Sequence, residues 1–164
     1  MRPTTDYARE AIFSMLESRG GLSDLVVADL YCGSGAMGIE ALSRGAAKAY
    51  FFDSDPACLA AAKANCDPLH LAGEALYTRA TLPVWSPPHD VDLVLCDPPY
   101  GPLDLASLLR GVMASRVVVE NDRHMDAPEG WVVTKTKRYG TTLVTMLEPH
   151  GRGISDDRPD PRIL

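Results

Sequence analysis

Hydrophobic positions along the chain follow two spacings, which predict helices and strands in turn. Near the start, Ala8, Ile12, Phe13 and Leu16 recur at helical spacing, so the pattern predicts an amphipathic helix over residues 4–18. Short, nearly continuous apolar runs are typical of strands that are covered on both faces of a sheet. We predict such strands at residues 25–30, 49–52, 91–96 and 116–120, and a weaker one at 74–78.

Further helices are predicted between these strands, at residues 33–43, 56–65 and 103–110. Strands that alternate with helices indicate a mostly parallel sheet with helices on both faces. The last two predicted strands, 131–136 and 141–147, lie too close together for a crossover helix, so we expect an antiparallel hairpin with a turn at Tyr139-Gly140. The sequence therefore predicts a doubly wound, mostly parallel α/β sheet with an antiparallel C-terminal hairpin.

Composition sets limits on this domain. The chain has 164 residues, the length of a single domain, which we place at residues 1–148, before a proline-, glycine- and charge-rich tail at 149–164 that we expect to be flexible. No apolar run is long enough to cross a membrane, and the polar opening is unlike a signal peptide. We therefore expect a cytoplasmic protein without a membrane partner. We also expect it to be a monomer. The four cysteines form no CxxC pair and have no histidine at metal-ligand spacing, which predicts reduced thiols and no metal site.

A glycine-rich loop predicts a nucleotide site. Gly33, Gly35 and Gly38 form a GxGxxG pattern that follows the first predicted strand and opens a helix, and Asp53 ends the next strand. The glycines permit a tight turn, and the Asp53 carboxylate can accept hydrogen bonds from ribose hydroxyls. This pattern indicates a cofactor that contains adenosine, and by itself it fits a nicotinamide dinucleotide as well as S-adenosylmethionine.

Asp29, just before the loop, changes that balance. An acid at the end of the first strand can bind the ammonium group of S-adenosylmethionine, directly or through water. A dinucleotide site instead presents helix-end N–H groups to a pyrophosphate, which a neighbouring carboxylate would repel. Asp29 therefore favours S-adenosylmethionine as the cofactor.

The motif Asp97-Pro98-Pro99-Tyr100 follows the predicted strand 91–96 and indicates the reaction centre. The two prolines stiffen the backbone and remove two N–H donors, which leaves the Asp97 carboxylate and a fixed carbonyl as acceptors. Together these acceptors can hold an exocyclic amino group and aim its lone pair at a methyl donor. Asp97 can also stabilise the positive charge that grows on the nitrogen, and Tyr100 can stack on a flipped-out base. We therefore predict methylation of a nucleic-acid base at an amino group, with Asp97, Pro98 and Tyr100 as catalytic residues.

With these motifs, the chain resembles the bacterial 16S ribosomal RNA guanine-N2 methyltransferases of the RsmD type. The resemblance rests on the opening Arg2-Pro3-Thr4-Thr5-Asp6 with Arg9-Glu10, on residues 29–46 (DLYCGSGAMGIEALSRGA), on residues 97–100 and on Tyr139-Gly140. It implies a Rossmann-like class I methyltransferase fold, an opening segment near the methionine end of the cofactor, Asp53 on the ribose, and Asp97 with Tyr100 on the guanine. It also implies ribosomal RNA or a 30S assembly intermediate as the partner. The expected cofactor-binding residues are Thr5, Asp29, Tyr31, Gly33, Ser34, Gly35, Asp53, Ser54 and Ala80, the last through its backbone N–H.

The net charge of −6 requires that any contact with RNA phosphates be local. Lys135, Lys137 and Arg138 form one candidate patch, and Arg2 with Arg9 forms another; either could equally be ordinary solvated surface. Three alternatives stay open at this point. They are an adenine-N6 or cytosine-N4 DNA methyltransferase, a cofactor-binding homologue with impaired catalysis and, more remotely, a nicotinamide oxidoreductase.

Overall fold

Seven strands form one sheet within residues 6–151, the part of the chain that the computed structural model describes. The strands are β1 (Val26–Leu30), β2 (Lys48–Asp53), β3 (Glu74–Arg79), β4 (Leu93–Cys96), β5 (Arg116–Asn121), β6 (Trp131–Tyr139) and β7 (Thr142–Pro149). The helices are α1 (Asp6–Glu17), α2 (Ala36–Ser43), α3 (Pro56–Cys66) and α4 (Leu105–Leu108), with a short 3-10 turn at Asp67–Leu69. Thr5, Arg2 and most of the predicted tail lie outside the described residues.

The strand order is β3-β2-β1-β4-β5-β7-β6. The first five strands pair in parallel, and β7 pairs antiparallel with both β5 and β6. This confirms the predicted doubly wound sheet with an antiparallel C-terminal hairpin. The chain leaves β1 for β2 on one side and later returns to β4 on the other, so the order reverses between β1 and β4. In sheets of this kind, ligands bind at the carboxyl ends of the strands beside that reversal.

The two faces of the sheet are covered differently. On one face, α1, α2 and α3 pack over strand residues such as Val27, Phe51 and Leu95. On the other face, the covering residues come from α4 and from loops, Trp85 among them. Helices therefore lie on both faces, as predicted, but the second face depends mainly on loop packing.

The predicted helix at 103–110 is wrong in extent, because α4 is a single turn. The Asp104 carboxylate caps its start by accepting the Ser107 N–H at 3.1 Å. Its end is closed by the Trp85 indole N–H, which donates to the Leu108 carbonyl at 2.8 Å. A long-range contact from the proline-rich loop thus satisfies a carbonyl that a longer helix would have used internally.

The predicted helix start at residue 33 is also wrong, because α2 begins at Ala36. Gly33 and Gly35 have φ angles of +55° and +87°, in the left-handed region that glycine adopts at little cost. Gly35 also packs tightly, since a Cβ there would lie 2.9 Å from the Ala62 Cβ of α3. The loop therefore turns sharply before the helix starts and brings α2 close to α3.

Gly38 allows α2 to lie close on the sheet, and replacing it tests that contact. A Cβ at this position would overlap the ring of Phe51, with the Cζ atom at 2.7 Å. We expect Gly38→Ala to lower the free energy of unfolding by about 1–3 kcal/mol, measured by urea denaturation. Phe51→Leu should relieve part of the overlap, so the two changes together should cost less than the sum of their separate costs. Strictly additive costs would show that the ring is not the obstacle.

None of the four helices within residues 6–151 has the length and apolar character that a bilayer span requires.

Candidate active site

A cleft of about 570 Å³ opens at the carboxyl ends of β1, β2 and β4, where the strand order reverses. It brings together eight of the residues predicted from the sequence. They are Asp29, Tyr31, Gly33, Ser34, Asp53, Ser54, Asp97 and Pro98. The two predicted halves of the site, the glycine loop and the residues after β4, therefore face one cavity.

Asp53 holds the glycine loop in place. Its Oδ2 atom accepts the Gly33 N–H at 3.0 Å, and its Oδ1 atom accepts the Asp55 N–H at 3.0 Å. A carboxylate offers about four acceptor positions, so two of them stay available for hydroxyl donors. Asp53 can therefore orient the loop and bind the ribose of a nucleotide at the same time.

Asp29 is the buried acid of the cleft, with only 1% of its surface exposed. Its Oδ2 atom accepts the Gly38 N–H from the first turn of α2 at 2.9 Å. Burial raises the pKa of Asp29 well above its usual value, and the charges of Asp97, Glu120 and Asp53 raise that pKa further. The Gly38 N–H opposes them. A cation bound in the cleft would stabilise the charged form of Asp29, so the site is suited to a positively charged ligand.

Tyr31 marks the turn from β1 into the loop. Its φ angle of +59° lies in the left-handed region, which is uncommon for a residue with a bulky side chain. Burial raises the pKa of Tyr31 to about 12, so its hydroxyl stays protonated and can donate a hydrogen bond.

The Asp97-Pro98-Pro99-Tyr100 segment is anchored near both ends. Asp97 follows β4 directly, and the first three residues of the motif line the cleft. Tyr100 does not line it; its hydroxyl instead hydrogen-bonds the Thr142 Oγ1 of β7 at 2.9 Å. The carbonyl of Gly101, one residue further, accepts the Asn121 side-chain amide at 3.0 Å. The stacking role of Tyr100 stays a prediction.

The chain is similar to known proteins of one family. A family model described as Conserved hypothetical protein 95 matches residues 1–148. The chain belongs to this family. Its relatives include the YlbH protein of Bacillus subtilis, 32% identical over 92% of this chain and 89% of its own length. The ribosomal RNA small subunit methyltransferase D of Escherichia coli is 30% identical over 95% of this chain and 83% of its own length.

Solved structures agree with the family assignment. The Escherichia coli protein YhhF matches with a TM-score of 0.75 and 29% identity, covering 91% of this chain and 88% of its own. A Salinibacter ruber RNA methyltransferase, solved with S-adenosyl-L-homocysteine, matches with a TM-score of 0.68 over 91% and 95% of the two chains. At 18% identity, that second likeness shows the fold alone. The RsmD-type resemblance and the class I methyltransferase fold are both confirmed.

Besides Tyr100, two predicted residues lie differently from expectation. The Ala80 N–H donates to the Asp53 carbonyl at 3.0 Å. This bond continues the pairing of β2 with β3, so the N–H is already occupied. Gly35 is buried against α3 and shapes the loop without lining the cleft. The predicted cofactor contact of Thr5 lies outside the described residues.

The cleft also contains residues that the sequence reasoning did not assign to cofactor binding. Asp6 and Arg9 from the first turn of α1 line it, and they pair with each other at 2.8 Å. The family resemblance placed the opening segment near the methionine end, which is a signal for Asp6, but Arg9 was predicted only as an RNA contact. Met37 and Cys58 stand in the wall without any spacing pattern that would have marked them.

The cysteines are unpaired thiols, and two of them line the cleft. Burial raises the pKa values of Cys32 and Cys58, and nearby carboxylates raise them further. Because only a thiolate is an effective nucleophile, neither side chain is set up for covalent catalysis. Cys96 is buried in the core on the face of the sheet that α4 and the loops cover. Within residues 6–151, no cluster of three or more His, Cys, Asp or Glu side chains could hold a metal ion.

Asp29→Asn tests the buried acid through stability and cofactor binding together. The folded-state pKa of Asp29 lies above its unfolded value, so the folded protein binds more protons between the two pKa values. Stability should therefore fall as pH rises through this window, and the variant should lack that loss. We expect a higher unfolding temperature at neutral pH, by about 2–4 °C for each kcal/mol gained. Loss of the charge should weaken S-adenosylmethionine binding about tenfold.

The matching measurements are thermal unfolding from acid to neutral pH and titration calorimetry with S-adenosylmethionine. Because asparagine keeps an acceptor for the Gly38 N–H, the backbone geometry should be preserved. A variant that is less stable at every pH, with unchanged cofactor affinity, would contradict both roles of Asp29.

Proposed function

We propose that the chain is an S-adenosylmethionine-dependent methyltransferase that methylates the exocyclic N2 of a guanine in 16S ribosomal RNA. The observation that carries the proposal is one cleft that holds both the Asp29–Gly33–Asp53 loop and the Asp97-Pro98 segment. The first group suits a nucleotide with a positive charge, and the second suits an amino group. The domain proposed to carry the activity is residues 1–148.

The residues present fit S-adenosylmethionine. Asp29 offers a buried carboxylate for the ammonium group, and Asp53 keeps acceptor positions for the ribose hydroxyls. The cofactor, when bound, supplies an electrophilic methyl group on a positively charged sulfur. Asp29, Asp53 and the glycine loop would hold it, with Ser34 and Ser54 at the rim.

Asp97 and the Pro98 carbonyl would act on the acceptor base. Both are hydrogen-bond acceptors, and an exocyclic amino group presents two N–H donors. Holding both donors fixes the nitrogen and aims its lone pair, which matters because delocalisation into the ring makes such nitrogens weak nucleophiles. The Asp97 charge stabilises the positive charge that develops on the nitrogen, and Asp97 or water accepts the proton afterwards.

Ribosomal RNA is proposed as the substrate because of the family. Relatives from Escherichia coli and Haemophilus influenzae are named ribosomal RNA small subunit methyltransferase D, at 30% and 28% identity. Guanine N2 is proposed from the RsmD-type resemblance, which includes the opening segment as well as the DPPY motif shared by many amino-group methyltransferases.

In the deciding experiment, the purified protein is incubated with isotope-labelled S-adenosylmethionine and one of two substrates. The substrates are 30S particles from a strain that lacks the gene for this protein, and unmethylated DNA. Mass spectrometry of nucleosides from the particles should then detect new N2-methylguanosine. Label in DNA alone would favour the DNA methyltransferase instead. Cofactor binding without transfer to either substrate would favour an impaired homologue, and tight NADH binding without S-adenosylmethionine binding would favour an oxidoreductase.

A further inference from the structure

Strand β6, at the edge of the sheet, concentrates positive charge on an acidic protein. Its nine residues include Lys135, Lys137 and Arg138 and no acid, whereas the whole chain carries a net charge of −6. All three cations are exposed, and no carboxylate within residues 6–151 forms an ion pair with them. Within residues 6–151, the cations that do form ion pairs all lie outside β6, so this strand carries a local excess of positive charge.

A register shift in β6 determines which face of the sheet each of these cations occupies. The ladder is irregular between Val133 and Lys135, so Lys135 lies opposite Met146 and Lys137 lies opposite Val144. Met146 and Val144 belong to the core beneath α1. Lys135 and Lys137 therefore share the α1 face of the sheet.

Arg138 lies on the other face. It pairs with Leu143, which is adjacent in the strand to Val144 and so points to the opposite side. Without the bulge, the two lysines would point away from α1 and Arg138 would point toward it, because a shift of one residue moves every side chain to the other face.

Two tyrosines connect the lysines to the cleft. Lys137 Nζ lies 5.8 Å from the centre of the Tyr139 ring. The Tyr139 and Tyr7 rings meet edge to face, with 5.5 Å between their centres. Tyr7 is 71% exposed and stands in the first turn of α1, between Asp6 and Arg9, which line the cleft.

A second connection runs through the hairpin. Thr142 pairs with Tyr139 across the turn, and its hydroxyl bonds Tyr100 of the reaction-centre motif. The hairpin that carries the lysines and Tyr139 is thus tied both to α1, whose first turn lines the cleft, and to the segment that follows β4.

We propose that this surface, formed by Tyr7, Lys135, Lys137 and Tyr139, binds the single-stranded RNA that flanks the target nucleotide. The proposal rests on the proposed function and extends it to a path for the substrate. Cations that lie beside aromatic rings on one face suit single-stranded nucleic acid, because lysines neutralise phosphates while bases stack on exposed rings. Tyr7 offers the exposed ring, and the two lysines supply the phosphate contacts on an otherwise acidic protein.

The test compares variants on the two faces of one strand. We expect Lys135→Ala/Lys137→Ala to weaken binding of a fluorescein-labelled, mixed-sequence single-stranded RNA, measured by anisotropy over a series of salt concentrations. Because each phosphate contact contributes about 0.7 to the slope of log affinity against log salt, the slope should become shallower by about 1.4. Arg138→Ala removes another exposed cation from the same strand but from the opposite face, and it should change neither affinity nor slope.

The aromatic contact is tested by Tyr7→Ala and Tyr7→Phe. The alanine variant should weaken RNA binding by roughly 5- to 150-fold, the range expected for one stacked base, and the phenylalanine variant should retain it. The unfolding temperature and S-adenosylmethionine affinity should stay unchanged in all four variants, since the altered side chains are exposed or replaced conservatively.

The outcomes separate the path from the function. Equal loss in the Arg138 variant would overturn the path, because it would show only a general effect of charge. Normal methylation of 30S particles, with unchanged RNA affinity in every variant, would overturn the path while the function stands. A chain that binds S-adenosylmethionine but no RNA would overturn both the path and the RNA substrate. Binding to phosphatidylglycerol vesicles that depends on these lysines, without RNA binding, would assign the surface to a membrane and overturn the path.

Discussion

Replacing Asp97 by alanine is expected to slow methyl transfer by about 10³-fold while S-adenosylmethionine affinity stays within a few-fold of normal. Asp97 lies at the carboxyl end of β4 and lines the cleft, across from the loop that Asp53 holds. The variant loses an acceptor for the amino group and the negative charge that stabilises the developing cation. The cofactor contacts proposed for Asp29 and Asp53 are unaffected. The measurements are single-turnover transfer to 30S particles and titration calorimetry.

Asp92→Ala is a matched control at the other end of β4. Asp92 precedes β4 at its amino end, far from the cleft along the strand, and its carboxylate accepts the Val26 N–H at 2.9 Å. Its loss should lower the unfolding temperature without a specific loss of transfer rate. If the Asp97 variant turned over almost normally, Asp97 would have no part in the mechanism. If it lost cofactor affinity as strongly as rate, Asp97 would belong to the cofactor site instead.

The strands could be predicted well because most are covered on both faces. The apolar run predicted at 25–30 became β1, and the run at 116–120 became β5 with one added residue. In such runs nearly every side chain is buried, so the pattern of the sequence and the pattern of burial coincide. The edge strand β6 was predicted only to Thr136 and extends to Tyr139, because exposed Lys137 and Arg138 do not resemble a buried strand.

The parts that could not be predicted depend on contacts between distant segments. The loop tryptophan Trp85 closes α4 from 23 residues away, and no local pattern marks that contact. Similarly, Tyr100 bonds Thr142 across 42 residues, only because β7 inserts between β5 and β6. The chemistry of the motifs could be predicted from residue types. The hydrogen-bond partners of Tyr100 and Gly101, by contrast, follow from the topology of the sheet.

The cofactor half of the site was more predictable than the substrate half, for a physical reason. Asp29, Gly33 and Asp53 lie at the ends of two adjacent strands and in the turn between one strand and its helix, so secondary structure alone brings them together. Asp97 joins them because β4 pairs directly with β1. The RNA path, by contrast, depends on a bulge in β6 that determines which lysines share the face of α1, and the sequence contains no clear signal for a bulge.

Replacing Asp53 by alanine is expected to weaken S-adenosylmethionine binding by about 10²-fold, because one side chain has two roles. Its oxygens accept N–H groups from both Gly33 and Asp55, and its remaining acceptor positions are available to the ribose. A cofactor analogue without ribose hydroxyls separates these roles: the part of the loss due to ribose contacts should disappear with the analogue, and the part due to loop geometry should persist.

Asp55→Ala is the control for that loss, since Asp55 lines the same cleft but uses its carboxylate to cap α3 through the Ala57 N–H at 2.9 Å. It should cost about 1 kcal/mol of stability and little cofactor affinity. An equal loss of affinity in both variants would mean that negative charge in the cleft, rather than the position of Asp53, governs binding. Unchanged affinity in the Asp53 variant would remove the ribose assignment altogether and would leave Asp29 as the remaining acid proposed to bind the cofactor.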